Sequence, residues 1–222
     1  RVNIYIDGFN LYYGIKAAGL KKYLWLDLMK MGRFILRDGE VLKECRYFTS
    51  KVLNSQERAA RQRRYLDVLK GSGVQIQFGR YQQQTETCQN CGYSYDKWSE
   101  KMTDVNIAVA MLSDAVKGRC DKVVLISGDA DLKSALARVN ELCPSVDVLV
   151  AFPPKRISHT IKQQFSYIHI SKSMLRKSQF SDEIELGERL FRRPEQCSVS
   201  SRTLMCYSCR LKKQLLHFEN SS

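Results

Sequence analysis

Short apolar runs rich in β-branched residues, separated by stretches of helical periodicity, constrain this chain more than any other feature. Val2–Ile6, Val41–Phe48, Val74–Phe78, Lys122–Ile126 and Val146–Ala151 read as strands. The last two are nearly unbroken apolar runs, as in strands covered on both faces. Between them lie helical patterns. Asn54 is a predicted N-cap with Glu57 three residues on, opening a helix that closes at Gly71. Thr103 is the predicted cap of a helix with Val105, Ala108, Val109, Leu112 and Val116 on its apolar positions, ending at Gly118. Leu132, Ala135, Leu136 and Val139 mark another. Strand–helix–strand alternation predicts an α/β fold with a mostly parallel sheet and helices on both faces.

Two stretches leave that pattern. Residues 81–98 are polar and hold Cys88 and Cys91, so they read as a small cysteine-containing insert between a strand and the next helix. Beyond about Pro194 periodicity fades, and residues 196–222 read as an irregular tail outside a domain of residues 1–195. With 44% hydrophobic residues in 222, the chain has enough apolar surface for a real core. No apolar run reaches the ~18 residues of a membrane helix. The sequence begins directly in a strand and shows no signal peptide, and eight cysteines fall far below a disulfide scaffold. A reducing, cytoplasmic setting is the expectation.

Charge narrows the partners. Lys and Arg number 36 against 23 Asp and Glu, a net charge of +13. The excess is clustered: Arg58, Arg61, Arg63 and Arg64; Lys155, Arg156, Lys162, Lys172, Arg176 and Lys177 within an acid-free stretch from Val148 to Ser181; and Arg202, Arg210, Lys212 and Lys213. Such clusters fit a polyanion, with RNA or DNA the commonest, and no membrane partner is expected. Lys155, Arg156, Arg58 and Arg61 are therefore candidate substrate-binding residues.

Within this basic chain, acids gather at one place. Ligands of open parallel sheets bind beyond the carboxyl ends of the strands. Asp7 ends the first strand, and Asp129 and Asp131 follow the strand ending at Ile126. Asp104 lies in the first turn of the helix leading into that strand, so an antiparallel helix returns it to the same edge. Each acid has an ordinary alternative: a turn for Asp7, a helix cap for Asp129, a dipole-favoured first-turn position for Asp104. Together, three unlinked segments deliver carboxylates to one rim, and carboxylates so placed repel unless a cation neutralises them. Oxygen donors suit Mg²⁺ or Mn²⁺, and such a site suits phosphodiester hydrolysis.

Three ordered motifs carry a family resemblance: Ile4-Tyr5-Ile6-Asp7-Gly8-Phe9-Asn10-Leu11-Tyr12-Tyr13, then Glu100-Lys101-Met102-Thr103-Asp104-Val105-Asn106-Ile107-Ala108, then Leu125-Ile126-Ser127-Gly128-Asp129-Ala130-Asp131-Leu132. Over about residues 1–195 the chain resembles the NYN family, a PIN-like group of metal-dependent ribonucleases. The resemblance implies a PIN-like Rossmannoid three-layer sandwich. It implies that Asp7, Asp104 and Asp129 bind Mg²⁺ or Mn²⁺ and are catalytic, with Asp131 a fourth acid. Asn10 and Ser127 would orient water, metal or phosphate, and Lys101 would touch a phosphate. The family also includes proteins described as NADH-dependent 6-hydroxy-3-succinoylpyridine monooxygenases of nicotine breakdown, so NADH is a cofactor under that alternative. A catalytically inactive RNA-binding module is a third reading. Local sequence favours the nuclease. Gly71, Gly73 and Gly79 do not open a helix after a strand, so the dinucleotide fingerprint is missing, and His159, His169 and His217 sit in no motif.

Cys88 and Cys91 form half of a zinc knuckle, which Cys206 and Cys209 would complete as a structural Zn²⁺ site if the tail folds back. Unliganded thiols, or a knuckle completed across a homodimer, are the alternatives. Cys45, Cys120 and Cys143 read as core. Phe9, Tyr12 and Tyr13 after the Asp7 motif, and Phe152 before Pro153, are candidates to stack bases, but Phe9 and Tyr13, at helical spacing, read as core.

Overall fold

The computed structural model describes residues 1–52, 55–87, 89 and 91–194. The chain runs β1 (Val2–Asp7), α1 (Gly8–Ala17), α2 (Leu28–Arg33), β2 (Leu42–Thr49), α3 (Gln56–Gly71), β3 (Gln75–Phe78), β4 (Arg80–Thr87) and β5 (Ser94–Lys101). It continues through α4 (Thr103–Val116), β6 (Lys122–Ile126), α5 (Lys133–Leu142), β7 (Asp147–Phe152), α6 (His159–Lys162), β8 (Ser166–His169), α7 (Lys172–Lys177), β9 (Glu183–Leu186) and β10 (Arg189–Arg192). Six strands form one sheet in the order β3-β2-β1-β6-β7-β8, and every neighbouring pair in it is parallel. This is the expected mixed α/β architecture, a parallel sheet between two layers of helices.

The central strands explain why their sequences are apolar throughout. Successive side chains of a strand point to opposite faces. Ile4, Ile6, Val124, Ile126, Leu149 and Ala151 pack on one face with Leu11 and Ile15 of α1, Leu28 and Met31 of α2 and Leu69 of α3. Tyr5, Val123, Leu125, Val148, Val150 and Phe152 pack on the other with Ile107 and Met111 of α4, Leu136 of α5 and Ile161 of α6. Both faces are dry, so alternation with polar residues is lost. A smaller cluster surrounds Trp25, where Val68 of α3 meets Ile184, Leu186 and Phe191 of the β9–β10 hairpin. The Trp25 indole donates to the Ser181 carbonyl at 2.8 Å.

Several boundaries differ from expectation. The cap of α3 is Ser55, whose hydroxyl accepts from the Arg58 amide, one residue beyond the predicted Asn54; Asn54 itself lies outside the described residues. Thr103 is the first residue of α4 rather than its cap, because Met102 occupies the cap in the left-handed region with φ 77°. The polar insert is an antiparallel hairpin, β4 pairing with β5 from Arg80↔Lys101 to Thr87↔Ser94. Its base is anchored by Gly79, whose amide donates to the Thr49 carbonyl at 2.8 Å. A Cβ on Gly79 would lie 2.6 Å from the Thr103 hydroxyl and 2.8 Å from the Lys101 carbonyl, so only glycine lets the chain leave and re-enter there. That close approach sets the start of α4 at the carboxyl edge of the sheet, beside the ends of β2 and β3.

Candidate carboxylate site

At this edge a hydrogen-bonded chain joins the first and third sequence motifs. Asp7, nearly buried at the end of β1, accepts the Asn10 amide at 2.9 Å and the Ser127 hydroxyl at 3.0 Å. The Ser127 oxygen in turn accepts the Asp129 amide at 3.1 Å. Asn10 returns the link, its side-chain oxygen accepting the Gly128 amide at 2.9 Å. Asp129 accepts the Asp131 amide at 3.1 Å. The turn after β6 is thereby clamped to the start of α1, which fixes the positions of two carboxylates relative to each other.

The second motif arrives through α4, and Asp104 sits in its first turn. Asp7, Asp104 and Asp129 line one cavity of about 230 Å³, together with Asn10, Lys101 and Arg156. Thr103, the left-handed Met102 and the rings of Phe9 and Tyr13 complete its wall. Arg156 reaches it because its loop packs tightly on two glycines. A Cβ on Gly128 would stand 2.5 Å from the Arg156 carbonyl, and one on Gly14 would stand 2.7 Å from the Pro154 carbonyl.

The acids influence one another. Partial burial, followed by the negative charges of Asp7, Asp129 and Asp131, pushes the Asp104 carboxyl up to about 6. The donor chemistry of this set, hard oxygens that repel one another, fits a divalent cation. The carboxylates line the wall rather than meeting: among the described residues, no three His, Cys, Asp or Glu side chains are close enough together to hold a metal as they stand.

Raised above the unfolded value of 3.8, Asp104 makes the folded state bind more protons than the unfolded state between about pH 4 and 6. Stability from this group is present below pH 4 and is lost as pH rises through 6. Without a cation, Asp104→Asn is therefore expected to unfold at a higher temperature than the parent at about pH 7, and the difference closes by about pH 4. Thermal denaturation in EDTA across that range checks it.

The remaining candidate residues fall elsewhere. Ser127 lies beneath the cavity, fully buried, where it positions Asp7. Asp131 is exposed and outside the lining, acting on Asp104 through its charge. Lys155 is exposed, left-handed at φ 59°, and also outside the lining. Arg58 and Arg61 lie on α3 away from the cavity, and Arg61 pairs with Glu57. Their neighbours Arg63 and Arg64 line a separate groove with Arg189 and Asp67. Neither His159 nor His169 lines the carboxylate cavity, and His217 is outside the described residues. Cys91 is an exposed free thiol, while Cys88, Cys206 and Cys209 lie outside the described residues.

One pair of residues corrects the sequence reading. Phe9 and Tyr13 are cavity walls rather than core. The signal was available in α1: Gly8, Leu11, Gly14 and Ile15 already form its buried stripe, which leaves positions 9, 12 and 13 on the other side.

The NYN domain family model matches residues 1–172. The 6-hydroxy-3-succinoylpyridine 3-monooxygenase HspA of Pseudomonas putida is 28% identical over 175 residues, covering 63% of this chain and 55% of that protein. The chain thus spans about half the length of this curated relative. A crystal structure of a Vibrio parahaemolyticus protein of unknown function superposes with a TM-score of 0.53 at 19% identity, covering 77% of this chain and 93% of that one. That likeness concerns the fold alone.

Proposed function

The chain belongs to the NYN domain family, whose fold is nuclease-like, and from that premise we propose that it hydrolyses RNA phosphodiester bonds with a divalent cation held by Asp7, Asp104 and Asp129. The observation that carries this reading is that three carboxylates, from three separate segments, line one cavity inside a strongly basic chain. Held by Asp7, Asp104 and Asp129, Mg²⁺ or Mn²⁺ would supply an activated water and offset charge on the phosphodiester.

The chain's own residues do the rest. Ser127 and the Asn10 amide hold the Asp7 carboxylate in one orientation. Burial and the neighbouring acids raise the proton affinity of Asp104, so below about pH 6 a proton would compete with a cation for it. Lys101 and Arg156 place positive charge on the same cavity and attract the phosphate to the acids. The basic clusters outside it, including Arg63, Arg64 and Arg189, draw a polyanion to the surface in a salt-dependent way.

A second reading rests on one observation, the similarity to HspA. Under it the cavity takes a planar pyridine acid, Arg156 pairs with its carboxylate, and NADH is the reductant. One experiment separates the two. Purified protein is given end-labelled RNA with Mg²⁺ or Mn²⁺ and then with EDTA, and in parallel 6-hydroxy-3-succinoylpyridine with NADH and oxygen. The nuclease reading expects RNA fragments that EDTA suppresses. Intact RNA together with substrate-dependent NADH oxidation would replace it by the hydroxylase.

A further inference from the structure

The cavity holds something that phosphodiester hydrolysis by carboxylates does not require: aromatic rings. Phe9 and Tyr13 stand one helical turn apart on α1 and stack, with centroids 6.2 Å apart and planes inclined by 18°. Tyr12 meets Tyr13 edge-on at 5.2 Å. Tyr12 is 41% exposed and Tyr13 45%. The core does not need them, since Leu11 and Ile15 bury the opposite stripe of the same helix. Three contiguous rings left at the surface, two of them on the cavity that Asp7, Asp104 and Asp129 line, form an aromatic patch on a mainly polar wall.

We infer that Phe9 and Tyr13 form a stacking subsite for an unpaired nucleobase beside the carboxylates, which restricts the chain to single-stranded or flipped-out nucleotides. The inference rests on the nuclease reading and names the form of its substrate. Charge complementarity and ring geometry support this occupant together. Lys101 and Arg156 suit a phosphate, Tyr13 suits a base face, and both line one cavity of about 230 Å³. A single nucleotide presents both groups at once. Bases in a duplex are enclosed in their own stack and do not offer a face to a protein ring. Stacking on an aromatic side chain is indifferent to base identity, so the subsite selects strandedness rather than sequence.

The test measures binding and needs no turnover. In EDTA, the full chain is titrated into fluorescent oligonucleotides of about 12 residues: single-stranded RNA, the same RNA as a duplex, and a backbone-matched abasic strand. Wild type is expected to bind the base-bearing single strand most tightly. Tyr13→Ala is expected to lose about tenfold or more on that strand and nothing on the abasic one. Tyr13→Phe, which keeps the ring and loses the hydroxyl, is expected to stay within about twofold. Exposure of Tyr13 makes both variants tolerable to the fold, and equal thermal midpoints would verify it. Equal losses on base-bearing and abasic strands, or a duplex bound as tightly as the single strand, would overturn the subsite. So would Tyr13-dependent binding of free 6-hydroxy-3-succinoylpyridine with no oligonucleotide binding. Tyr13-dependent binding of RNA that is never cleaved would support the subsite and remove hydrolysis instead. Metal-dependent cleavage insensitive to Tyr13→Ala would remove the subsite and leave hydrolysis standing.

Discussion

Asp114→Ala is expected to lower the thermal midpoint by about 6–20 °C while leaving the chemistry of the folded fraction unchanged. Asp114 lies on α4, fully buried. Its carboxylate accepts the Tyr5 hydroxyl at 2.7 Å and pairs with Arg46 at 2.9 Å and Arg119 at 3.2 Å. Asn3 approaches at 3.4 Å. Arg46 is held further by Glu44 and lies over the Tyr5 ring at 5.9 Å. Truncating the acid strands a buried hydroxyl and a mostly buried guanidinium, and breaking a buried pair from one side costs about 3–5 kcal/mol. At about 2–4 °C per kcal/mol for a domain of this size, the shift is readily measured by circular dichroism. Asp114→Asn keeps an acceptor for Tyr5 and is expected to fall between the two. A midpoint within about 3 °C of wild type for Asp114→Ala would show that the network contributes little. Ten residues of helix, about 15 Å, separate this acid from Asp104, so the buried network acid and the cavity-lining acid occupy opposite ends of one helix.

Asp129→Asn is expected to do the opposite: keep the fold and lose hydrolysis. The Asp131 amide needs only an oxygen acceptor, which the asparagine side chain still offers, so the turn after β6 survives. The change removes one negative charge from the cavity, and with it a ligand of the proposed cation. Removing one preorganised electrostatic contact of this kind costs about 10²–10³-fold in turnover. The comparison is made by the initial rate of RNA cleavage at fixed Mn²⁺, with the thermal midpoint recorded alongside. Unchanged cleavage would place the chemistry outside this cavity, whereas a collapsed midpoint would show that the aspartate acts through the fold.

The α/β plan was legible because strands buried on both faces leave a period-free apolar run, as Val123–Ile126 does. The grouping of Asp7, Asp104 and Asp129 on one edge follows from the same plan, since strand ends and the start of an antiparallel helix share a rim. Contacts made by long-range packing were not legible. Nothing local to Asp114 announces that Asn3, Tyr5 and Arg46 converge on it, for those residues lie 68 to 111 positions away. The β4–β5 hairpin escaped for a different reason. Its segment Arg80–Thr87 is polar almost throughout, so no apolar alternation marks it, and register rests on the backbone ladder. β8, only four residues long at the sheet edge, sits inside the basic stretch and carries little apolar signal. Phe9 and Tyr13 were misplaced because i, i+4 aromatics fit a core stripe equally well until Leu11 and Ile15 are counted as the stripe.

Titration of Mn²⁺ into metal-stripped protein, followed by the resonance of free Mn²⁺, is expected to show one divalent cation held between Asp7, Asp104 and Asp129. One ion is expected per chain, binding more weakly as pH falls through about 6, where Asp104 takes up a proton, and lost or strongly weakened in both Asp129→Asn and Asp104→Asn. No binding by the folded wild type, or binding that neither variant alters, would contradict it.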